Sequence, residues 1–325
     1  MVDVVYSGAL SHSPLMFVAE VDPGPGGAGY REAAGRLRDE LAATAVDSVV
    51  LFFPDHFRAV HYDNTPPFCI GVKYLGTWGD WFLPQRELSV DEELAAHLLD
   101  EVLGSGIDLA YSADMRIDHG GAQPLHVLGL EDVAVVPIFV NCAAPPLPSL
   151  ARCSELGSAV GEALRSFPGA RRAAVLGSGG LSHQVPLPSW QELNRDDERY
   201  RTFVTGLAPE EAAEIEPGRV RRILDILGTA ETWTDSDLDR EILDDFTRGQ
   251  LDRITGRSQV ELVKRGGSGM NEVRTWVAAY TAAGAVGADV LDYAAIPNWA
   301  TGMGVARFTL EAPGGNAHDD WRGGR

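Results

Sequence analysis

The segment Val46–His56, with the sequence VDSVVLFFPDH, indicates the fold class of this chain. An apolar, β-branched run up to Phe53 ends directly in a polar turn that carries Asp55 and His56. A continuous apolar run of this length, bounded by turn residues, is typical of a strand that is buried in a sheet. In α/β proteins, ligands gather beyond the ends of such strands. We therefore expect an α/β fold with its chemistry at the strand ends.

Strand-like runs and helical patterns alternate on both sides of this segment. Further runs of strand type are Val2–Leu10, Ile107–Tyr111, Val133–Val140 and Ala173–Leu176. Helical patterns lie at Arg31–Ala43, Glu92–Leu103 and Leu150–Ser166. This alternation predicts a three-layer α/β/α sandwich around a mixed central sheet.

The composition changes in the second half of the chain. Residues 190–265 are rich in charged, helix-forming residues, which predicts a helical insertion that decorates the sandwich. After a Gly-rich break, a last long helix is expected over Asn271–Ala283, with Asn271 or Ser268 as its N-cap.

The length of 325 residues suits one large domain or two. No internal repeat or heptad array divides the chain, so we expect one domain over residues 1–310. Residues 311–325 are Gly-rich and polar and predict a flexible tail.

The charge balance excludes one class of function. The chain has 27 Lys and Arg against 47 Asp and Glu, a formal net charge of −20. A nucleic-acid binder needs surplus cations to neutralise phosphates, so nucleic acid is not an expected partner. The hydrophobic fraction of 45% is that of a globular protein with a sizeable core.

The cysteines and the N-terminus predict a cytoplasmic protein without membrane segments. The three cysteines form no CxxC pair and are too few for a disulfide framework, which indicates a reducing compartment. Asp3 stands where a signal peptide would carry positive charge, and the apolar runs are only as long as strands.

Four of the eight histidines follow strand-like runs in Gly-, Ser-, Pro- or Asp-containing loops. A single loop histidine is more often structural than functional. Four histidines that each follow a strand favour a shared functional role, because the strand ends of one sheet meet in space. We expect the following histidines to converge on one site: His12, His56, His119 and His183.

A mononuclear ferrous site of the oxygenase type needs two imidazoles and one carboxylate. His12 and His56 are suitable imidazoles, and the candidate carboxylates are Asp55, Asp118 and Glu272. The two aspartates stand beside histidines and would equally serve to orient an imidazole from behind. Glu272 has an equally good interpretation as an ordinary helix-start carboxylate. Catalytic zinc uses similar ligands, but no HExxH pair is present.

Two other motifs carry little weight. The GSGG segment Gly177–Gly180 lacks the GK[ST] ending of a phosphate-binding loop. Ser178 does not stand in a GxSxG turn, so a serine hydrolase is not expected.

Taken together, six motifs resemble one known family, the class III extradiol ring-cleavage dioxygenases with the fold of the protocatechuate 4,5-dioxygenase catalytic subunit. These motifs span nearly the whole chain in order, which makes the resemblance specific. They are LSHSPL at Leu10–Leu15, FPDH at Phe53–His56, YDNTPPFCIGV at Tyr62–Val72, DHGGAQPL at Asp118–Leu125, LGSGGLSHQ at Leu176–Gln184 and NEVRTWVAAY at Asn271–Tyr280.

The resemblance implies the identity and roles of the site residues. It implies Fe(II) held by His12, His56 and Glu272, with His119 as proton donor and His183 as proton acceptor. It also implies a small-molecule catechol and O2 as substrates, and a homo-oligomeric assembly. The implied reaction is extradiol cleavage of 3-(2,3-dihydroxyphenyl)propionate and of 2,3-dihydroxycinnamate in aromatic catabolism, within a catalytic domain that covers residues 1–310.

Two alternatives stay open at this point: an extradiol dioxygenase for a differently substituted catechol, and a non-catalytic binding relative of the same fold. The implied substrate carries a carboxylate, which must bind to a protein of net charge −20. Cations near the motifs are candidates for this contact, and the sequence favours none of them: Arg58, Lys73, Arg116 and Arg274.

Overall fold

The computed structural model describes residues 2–185, 187–229 and 234–311. From residue 312 onward, the predicted tail 311–325 lies outside the described residues. In the described part of the chain, nine strands form one sheet: β1 (Val2–Leu10), β2 (Ser48–Phe53), β3 (Phe68–Thr77), β4 (Glu87–Leu88), β5 (Ala110–Ile117), β6 (Ala134–Val140), β7 (Arg171–Ser178), β8 (Ala285–Ile296) and β9 (Thr301–Leu310). The α-helices of the same ranges are α1 (Gly24–Thr44), α2 (Glu92–Gly104), α3 (His119–Leu128), α4 (Leu150–Ser166), α5 (Pro209–Thr229), α6 (Ser236–Thr247), α7 (Leu251–Thr255), α8 (Gln259–Gly266) and α9 (Val273–Ala282).

The sheet is mixed, with the order β4-β3-β6-β2-β7-β1-β9-β8 and with β5 paired to β3. Strands β6, β2, β7 and β1 are parallel neighbours at its centre. Strand β3 runs antiparallel to β6, and β9 runs antiparallel to β1. The carboxyl ends of the four central strands therefore meet at one edge, where ligands collect in this class of fold.

Helices cover both faces of the sheet. Side chains of β2 alternate between two hydrophobic cores, as the pleat of a strand requires. Val49 and Leu51 pack in a core with α1 and α3. Val50 and Phe52 pack in the core with α2, α4, α6 and α9. The predicted α/β/α sandwich around a mixed sheet is confirmed.

Two glycines of α4 allow α9 to pack unusually close. A Cβ atom on Gly157 would lie 2.4 Å from the carbonyl oxygen of Ala278, and one on Gly161 would lie 2.6 Å from that of Ala282. These distances are too short for any side chain, so the spacing of four residues keeps one face of α4 free of side chains. Because Glu272 directly precedes α9, this contact also positions Glu272 against the sheet.

One predicted strand is displaced along the chain. The apolar pattern predicts a strand at Ile107–Tyr111, whereas β5 spans Ala110–Ile117. Ile107 and Leu109 are buried, as their apolar character suggests, but they lie in the connection that precedes the strand. The more polar segment forms the strand because β5 pairs only with β3 and leaves three of its side chains exposed.

The last helix begins later than predicted. Ser268–Glu272 forms a 3₁₀ turn, and α9 starts at Val273. Neither predicted cap residue accepts a backbone N–H of the helix. The Asn271 side chain instead accepts a hydrogen bond from Arg274, and the hydroxyl of Ser268 donates to the carbonyl of Val185.

Other regions differ in how well the sequence predicts them. The range 190–265 contains α5, α6, α7 and most of α8, in agreement with the predicted helical content. The sequence pattern does not predict four strands, which are β3, β4, β8 and β9. None of the helices in the described ranges combines the length and the apolar character that crossing a lipid bilayer requires.

Candidate active site

The five side chains named from the sequence lie together at the carboxyl ends of the central strands. His12 follows β1, His56 follows β2 and His183 follows β7. His119 is the first residue of α3, and Glu272 directly precedes α9. Four of the five are buried, and the His183 side chain is 12% exposed.

Glu272 is the centre of this group. Its Oε1 atom lies 3.2 Å from Nε2 of His56 and 3.5 Å from Nε2 of His183, and its Oε2 atom lies 3.5 Å from Nε2 of His12. The backbone N–H of Gly180 donates to Oε2 at 2.6 Å. Three imidazole nitrogens therefore face one buried carboxylate.

A hydrogen-bond chain fixes the tautomer of His12. The hydroxyl of Ser178 donates its single proton to the carbonyl of Gly120 at 2.5 Å. Its oxygen therefore accepts the Nδ1–H of His12 at 2.9 Å. Burial, the largest cause, lowers the pKa of His12 to about 3, so the ring is neutral at pH 7. Nε2 then carries the lone pair that faces Glu272.

Asp118 holds His56 from behind. Its Oδ2 atom accepts both the backbone N–H and the Nδ1–H of His56 at 2.8 Å. Its Oδ1 atom accepts the backbone N–H of Gly120 and so caps α3. Burial alone would lower the pKa of His56, but Asp118 and Glu272 outweigh it and raise this pKa well above the ordinary value. Asp118 therefore orients an imidazole and does not face the centre of the group.

His119 reaches the group by a route that strand order does not predict. β5, which precedes it, is parallel to β3 and therefore antiparallel to the central strands. The start of α3 packs against the end of β2 instead, and a Cβ on Gly120 would lie 2.7 Å from the carbonyl oxygen of Pro54. The His119 ring stacks on that of His56 with centroids 4.3 Å apart.

Asp80, which the sequence analysis does not name, is the partner of His119. Its Oδ2 atom accepts the Nδ1–H of His119 at 2.9 Å, and both residues are buried. Asp80 lies in the segment after β3, a strand that the sequence analysis does not identify. The WGDW sequence around it carries no motif that would have drawn attention to it.

The Gly-rich segment before α9 encloses His183. The Nδ1–H of His183 donates to the carbonyl of Leu181 at 2.8 Å, which leaves Nε2 toward Glu272. A Cβ on Gly269 would lie 2.1 Å from Nε2 of His183, so any side chain there would displace the imidazole ring. Burial would lower the pKa of His183, but the Glu272 carboxylate raises it above the ordinary value.

The donors of this cluster suit a divalent metal ion. One ring nitrogen from each of His12, His56 and His119 lies within 4.8 Å of the other two, and the Glu272 oxygens lie beside them. Two imidazoles with one carboxylate are the ligands of mononuclear ferrous oxygenases. The raised pKa of His56 favours a protonated ring beside Glu272. A bound cation would take the place of this proton.

The alternative carboxylate Asp55 has a structural role. Its two oxygens accept the backbone N–H groups of Arg58, Ala59 and Val60, each at 3.1 Å, and so stabilise the turn after β2. Of the three carboxylates considered in the sequence analysis, Glu272 is the one that faces the imidazole Nε2 atoms.

The four cations named from the sequence have different surroundings. Lys73 is exposed beside the ring of Tyr74, and Arg116 lies over the ring of Trp78. The other two are buried. Arg274 donates to the carbonyls of Pro148 and Asn271 and to the Asn271 side chain. Arg58 is paired with Asp80 and Glu216.

A cavity of about 640 Å³ lies beside the histidine cluster, between the segment Trp78–Phe82 and α5. Its volume is within the range of small-molecule sites. Asp80 lines this cavity and also accepts the hydrogen bond from His119, so it connects the cavity wall to the cluster.

The family of the chain follows from sequence comparison. The family described as the catalytic LigB subunit of aromatic ring-opening dioxygenase matches residues 7–304. The chain belongs to this family. The matched range includes all five residues of the cluster, from His12 to Glu272, and the predicted resemblance and enzyme class are confirmed.

Several curated relatives of the family are similar over nearly their whole length. The 2,3-dihydroxyphenylpropionate/2,3-dihydroxicinnamic acid 1,2-dioxygenase of Rhodococcus jostii is 37% identical over 91% of this chain and 96% of its own. The enzyme of the same name from Klebsiella pneumoniae strain 342 is 36% identical over 94% and 99%. A solved structure, of an uncharacterized protein from Escherichia coli K12, has 11% identity and a TM-score of 0.45 over 93% and 98%.

Proposed function

We propose that this chain catalyses the Fe(II)-dependent extradiol cleavage of 3-(2,3-dihydroxyphenyl)propionate, and of 2,3-dihydroxycinnamate, by O2. The observation that carries the proposal is the convergence of the His12, His56 and His183 Nε2 atoms on the buried Glu272 carboxylate. The printed names of the curated relatives support the choice of substrate.

His12, His56 and Glu272 are the proposed iron ligands. Ser178 and Asp118 hold the Nδ1–H groups of the two imidazoles, so each Nε2 faces Glu272 and would be available to an ion bound there. Glu272 is preferred to His119 as the third ligand, because its negative charge offsets part of the charge of the ion. When bound, Fe(II) supplies a Lewis acid for the catechol oxygens and an electron path to O2.

His183 and His119 are the proposed acid–base pair. The Nδ1–H of His183 is held by the carbonyl of Leu181, so Nε2, which faces Glu272, is the ring nitrogen that would accept a proton from a catechol hydroxyl. The Nδ1–H of His119 is held by Asp80, which leaves Nε2 to deliver a proton to the substrate. Ring stacking on His56 keeps His119 beside a metal ligand.

We further propose that residues 1–310 form one catalytic domain of a cytoplasmic homo-oligomer. The pairing of β1 with β9 supports the single domain, because it joins the two ends of this range in one sheet. The three cysteines are free and buried, which is compatible with a reducing compartment.

The first experiment is O2 uptake with simultaneous product spectroscopy on anaerobically Fe(II)-loaded protein. The substrates are 3-(2,3-dihydroxyphenyl)propionate, 2,3-dihydroxycinnamate, protocatechuate and catechol. We expect stoichiometric O2 consumption and a yellow ring-opened product with the first two. Cleavage only of another catechol would contradict the substrate, and no cleavage of any would favour a binding role for the cleft.

A further inference from the structure

The wall of the site that carries Asp80 contains two arginines in different situations. Arg58 is buried and already forms ion pairs with Asp80 and Glu216. Arg219, one turn after Glu216 on α5, has no carboxylate within ion-pair distance among the residues that the structure describes. The positive charge of Arg58 is therefore offset within the wall, whereas that of Arg219 is available to a ligand.

The position of Arg219 links it to the histidine cluster through one tryptophan. Its guanidinium carbon lies 6.0 Å from the centroid of the Trp81 ring. The same ring makes an edge contact with His119, with centroids 6.2 Å apart. A guanidinium over an indole face is held in place without losing its hydrogen-bonding capacity. Arg219 therefore stands one aromatic ring away from His119.

The electrostatic environment of Arg219 agrees with this position. Burial, the largest cause, and the neighbouring Arg58 lower the pKa of Arg219, while Glu216, Asp80 and Asp118 oppose the shift. Arg219 is half-buried and has no carboxylate at ion-pair distance among the described residues, so an anionic ligand would form a charge-assisted hydrogen bond there.

Other polar atoms of the wall also lack protein partners. Three buried N–H donors and two buried carboxylate oxygens of the wall have no protein hydrogen-bond partner in the described part of the chain: Nε1 of Trp78, Nε1 of Trp81 and Nε of Arg58, with Oδ1 of Asp80 and Oε1 of Glu216. Buried polar groups in native proteins are usually paired, so the three N–H donors indicate a place where the acceptors of a ligand complete the structure. The two carboxylate oxygens only accept hydrogen bonds and would not pair with an anion. This observation is independent of the charge on Arg219.

We propose that Arg219 binds the side-chain carboxylate of the substrate and so selects catechols with an anionic three-carbon substituent. This inference rests on the proposed function, because it assigns one end of the proposed substrate. Trp81 supports the guanidinium from one side, and the catechol ring lies toward His119. Guanidinium groups bind carboxylates with two parallel hydrogen bonds, which gives direction as well as charge. Of the cations named from the sequence, Arg58 is already paired with carboxylates of this wall and Arg274 donates to backbone carbonyls, so Arg219 is the candidate.

The test compares two catechols that differ only in the charged group. 3-(2,3-Dihydroxyphenyl)propionate carries the carboxylate, and 3-propylcatechol has a neutral chain of the same length. We expect Arg219→Gln to lower kcat/KM for the acid by about tenfold to a hundredfold, the range of a hydrogen bond to a charged group. The loss should lie mainly in KM, while 3-propylcatechol changes by less than about threefold.

Two further variants separate binding from structure. Arg219→Lys keeps the charge without the planar fork and should recover part of the selectivity. Arg222→Gln removes an exposed arginine from the same helix and should change neither substrate. Equal losses on the acid and on 3-propylcatechol would mean that Arg219 only supports the wall. An unchanged kcat/KM for the acid would mean that another group binds the carboxylate.

A binding measurement keeps this inference apart from the proposed reaction. Calorimetry with 3-phenylpropionate, which has no hydroxyl groups, should show a dissociation constant that rises at least tenfold in Arg219→Gln. If wild-type protein cleaves neither catechol but binds this acid through Arg219, the proposed function fails and the carboxylate site stands. If the dissociation constant is the same in both proteins, the carboxylate site is wrong.

Discussion

The metal end of the site and the wall formed by α5 are built in different ways. At the metal end, the imidazoles of the two proposed histidine ligands are each held by a short side chain next to a strand: Ser178 ends β7, and Asp118 follows β5. In the α5 wall, long side chains make the contacts, such as the Arg58–Glu216 ion pair. The first arrangement fixes atoms through backbone and short side chains, whereas the second depends on flexible ones.

The rigid metal end and the more flexible α5 wall suit different parts of the function. Ring cleavage needs ligands and proton carriers within a few tenths of an ångström of fixed positions, which short buried side chains provide. Substrate selection needs a charge at a suitable distance, and a helix outside the sheet can carry it without disturbing the ligands. We therefore expect substitutions at the metal end to abolish the reaction and substitutions in the wall to change the preferred substrate.

The largest effect is expected from removal of a metal ligand. Glu272→Gln keeps the shape of the side chain but removes the charge that faces three imidazoles. Even a residue behind a ligand is worth about 10- to 100-fold in metal affinity, so loss of a ligand should exceed about 100-fold. Iron content after equilibration with a competing chelator measures this, and ring cleavage should fall with it.

Asp55→Asn is the matched control for this prediction. Asp55 is a buried carboxylate of the same region, but its oxygens accept backbone N–H groups of the turn after β2. We expect it to lower stability and to leave iron affinity nearly unchanged. Unchanged iron affinity in Glu272→Gln, together with a large loss in Asp55→Asn, would move the ligand role to Asp55.

The acid–base histidines should show a loss of rate without a loss of iron. His183→Gln and His119→Gln each remove one proton carrier, and general acid–base catalysis contributes about 10²- to 10⁴-fold. Single-turnover ring opening with Fe(II)-loaded, iron-quantified protein measures the effect on chemistry. Near-normal turnover in either variant would remove that residue from the pair. Loss of iron from His119→Gln would instead make His119 a ligand, as its distance to His12 and His56 allows.

A smaller effect is expected behind the ligand His12. Ser178→Ala removes the acceptor of the His12 Nδ1–H, so the ring loses its fixed tautomer and orientation. Iron affinity should fall about tenfold to a hundredfold. Ser7→Ala is the matched control, because Ser7 is equally buried and donates to the carbonyl of Val175, away from the cluster. Equal iron affinity in the two variants would contradict a role for Ser178 in holding His12.

The sequence predicts the metal end better than the wall, and the reason is physical. His12, His56 and His183 each follow an apolar run that pairs in parallel with its neighbours, so local pattern and strand order bring them together. Asp80 and Arg219 reach the site through β3 and α5, whose positions depend on pairing at the sheet edge and on packing of the insertion. No pattern of nearby residues encodes these long-range contacts.

His119 lies beside the other histidines of the site, as the sequence predicts, but the cause differs from the predicted convergence of strand ends. Convergence of parallel strand ends does not bring His119 to the site, because β5 runs antiparallel to them. Contact between Gly120 and the end of β2 does so, at a distance that excludes any side chain on this glycine. Packing of α3 against β2 therefore places His119 where convergence of parallel strand ends would also have placed it.

The smallest effects are expected from alanine substitutions of two glycines, Gly157 in the contact of α4 with α9 and Gly218 in the α5 wall. A Cβ on Gly157 would lie 2.4 Å from the backbone oxygen of Ala278 in α9, whereas one on Gly218 of α5 would meet no atom within 4 Å. Gly157→Ala should therefore lower the free energy of unfolding by about 1–3 kcal/mol, because the α9 backbone must move. Gly218→Ala should raise it by about 0.5–1 kcal/mol, since alanine favours a helix interior.

Urea unfolding of the two variants and of the wild type measures the expected decrease and increase in the free energy of unfolding. Because Glu272 precedes α9, Gly157→Ala should also weaken iron binding, whereas Gly218→Ala should leave it unchanged. Equal tolerance of alanine at both positions would mean that α4 and α9 can separate at little cost. The position of Glu272 would then have to come from its hydrogen bond with Gly180 and from the turn before α9, and not from the helix pair.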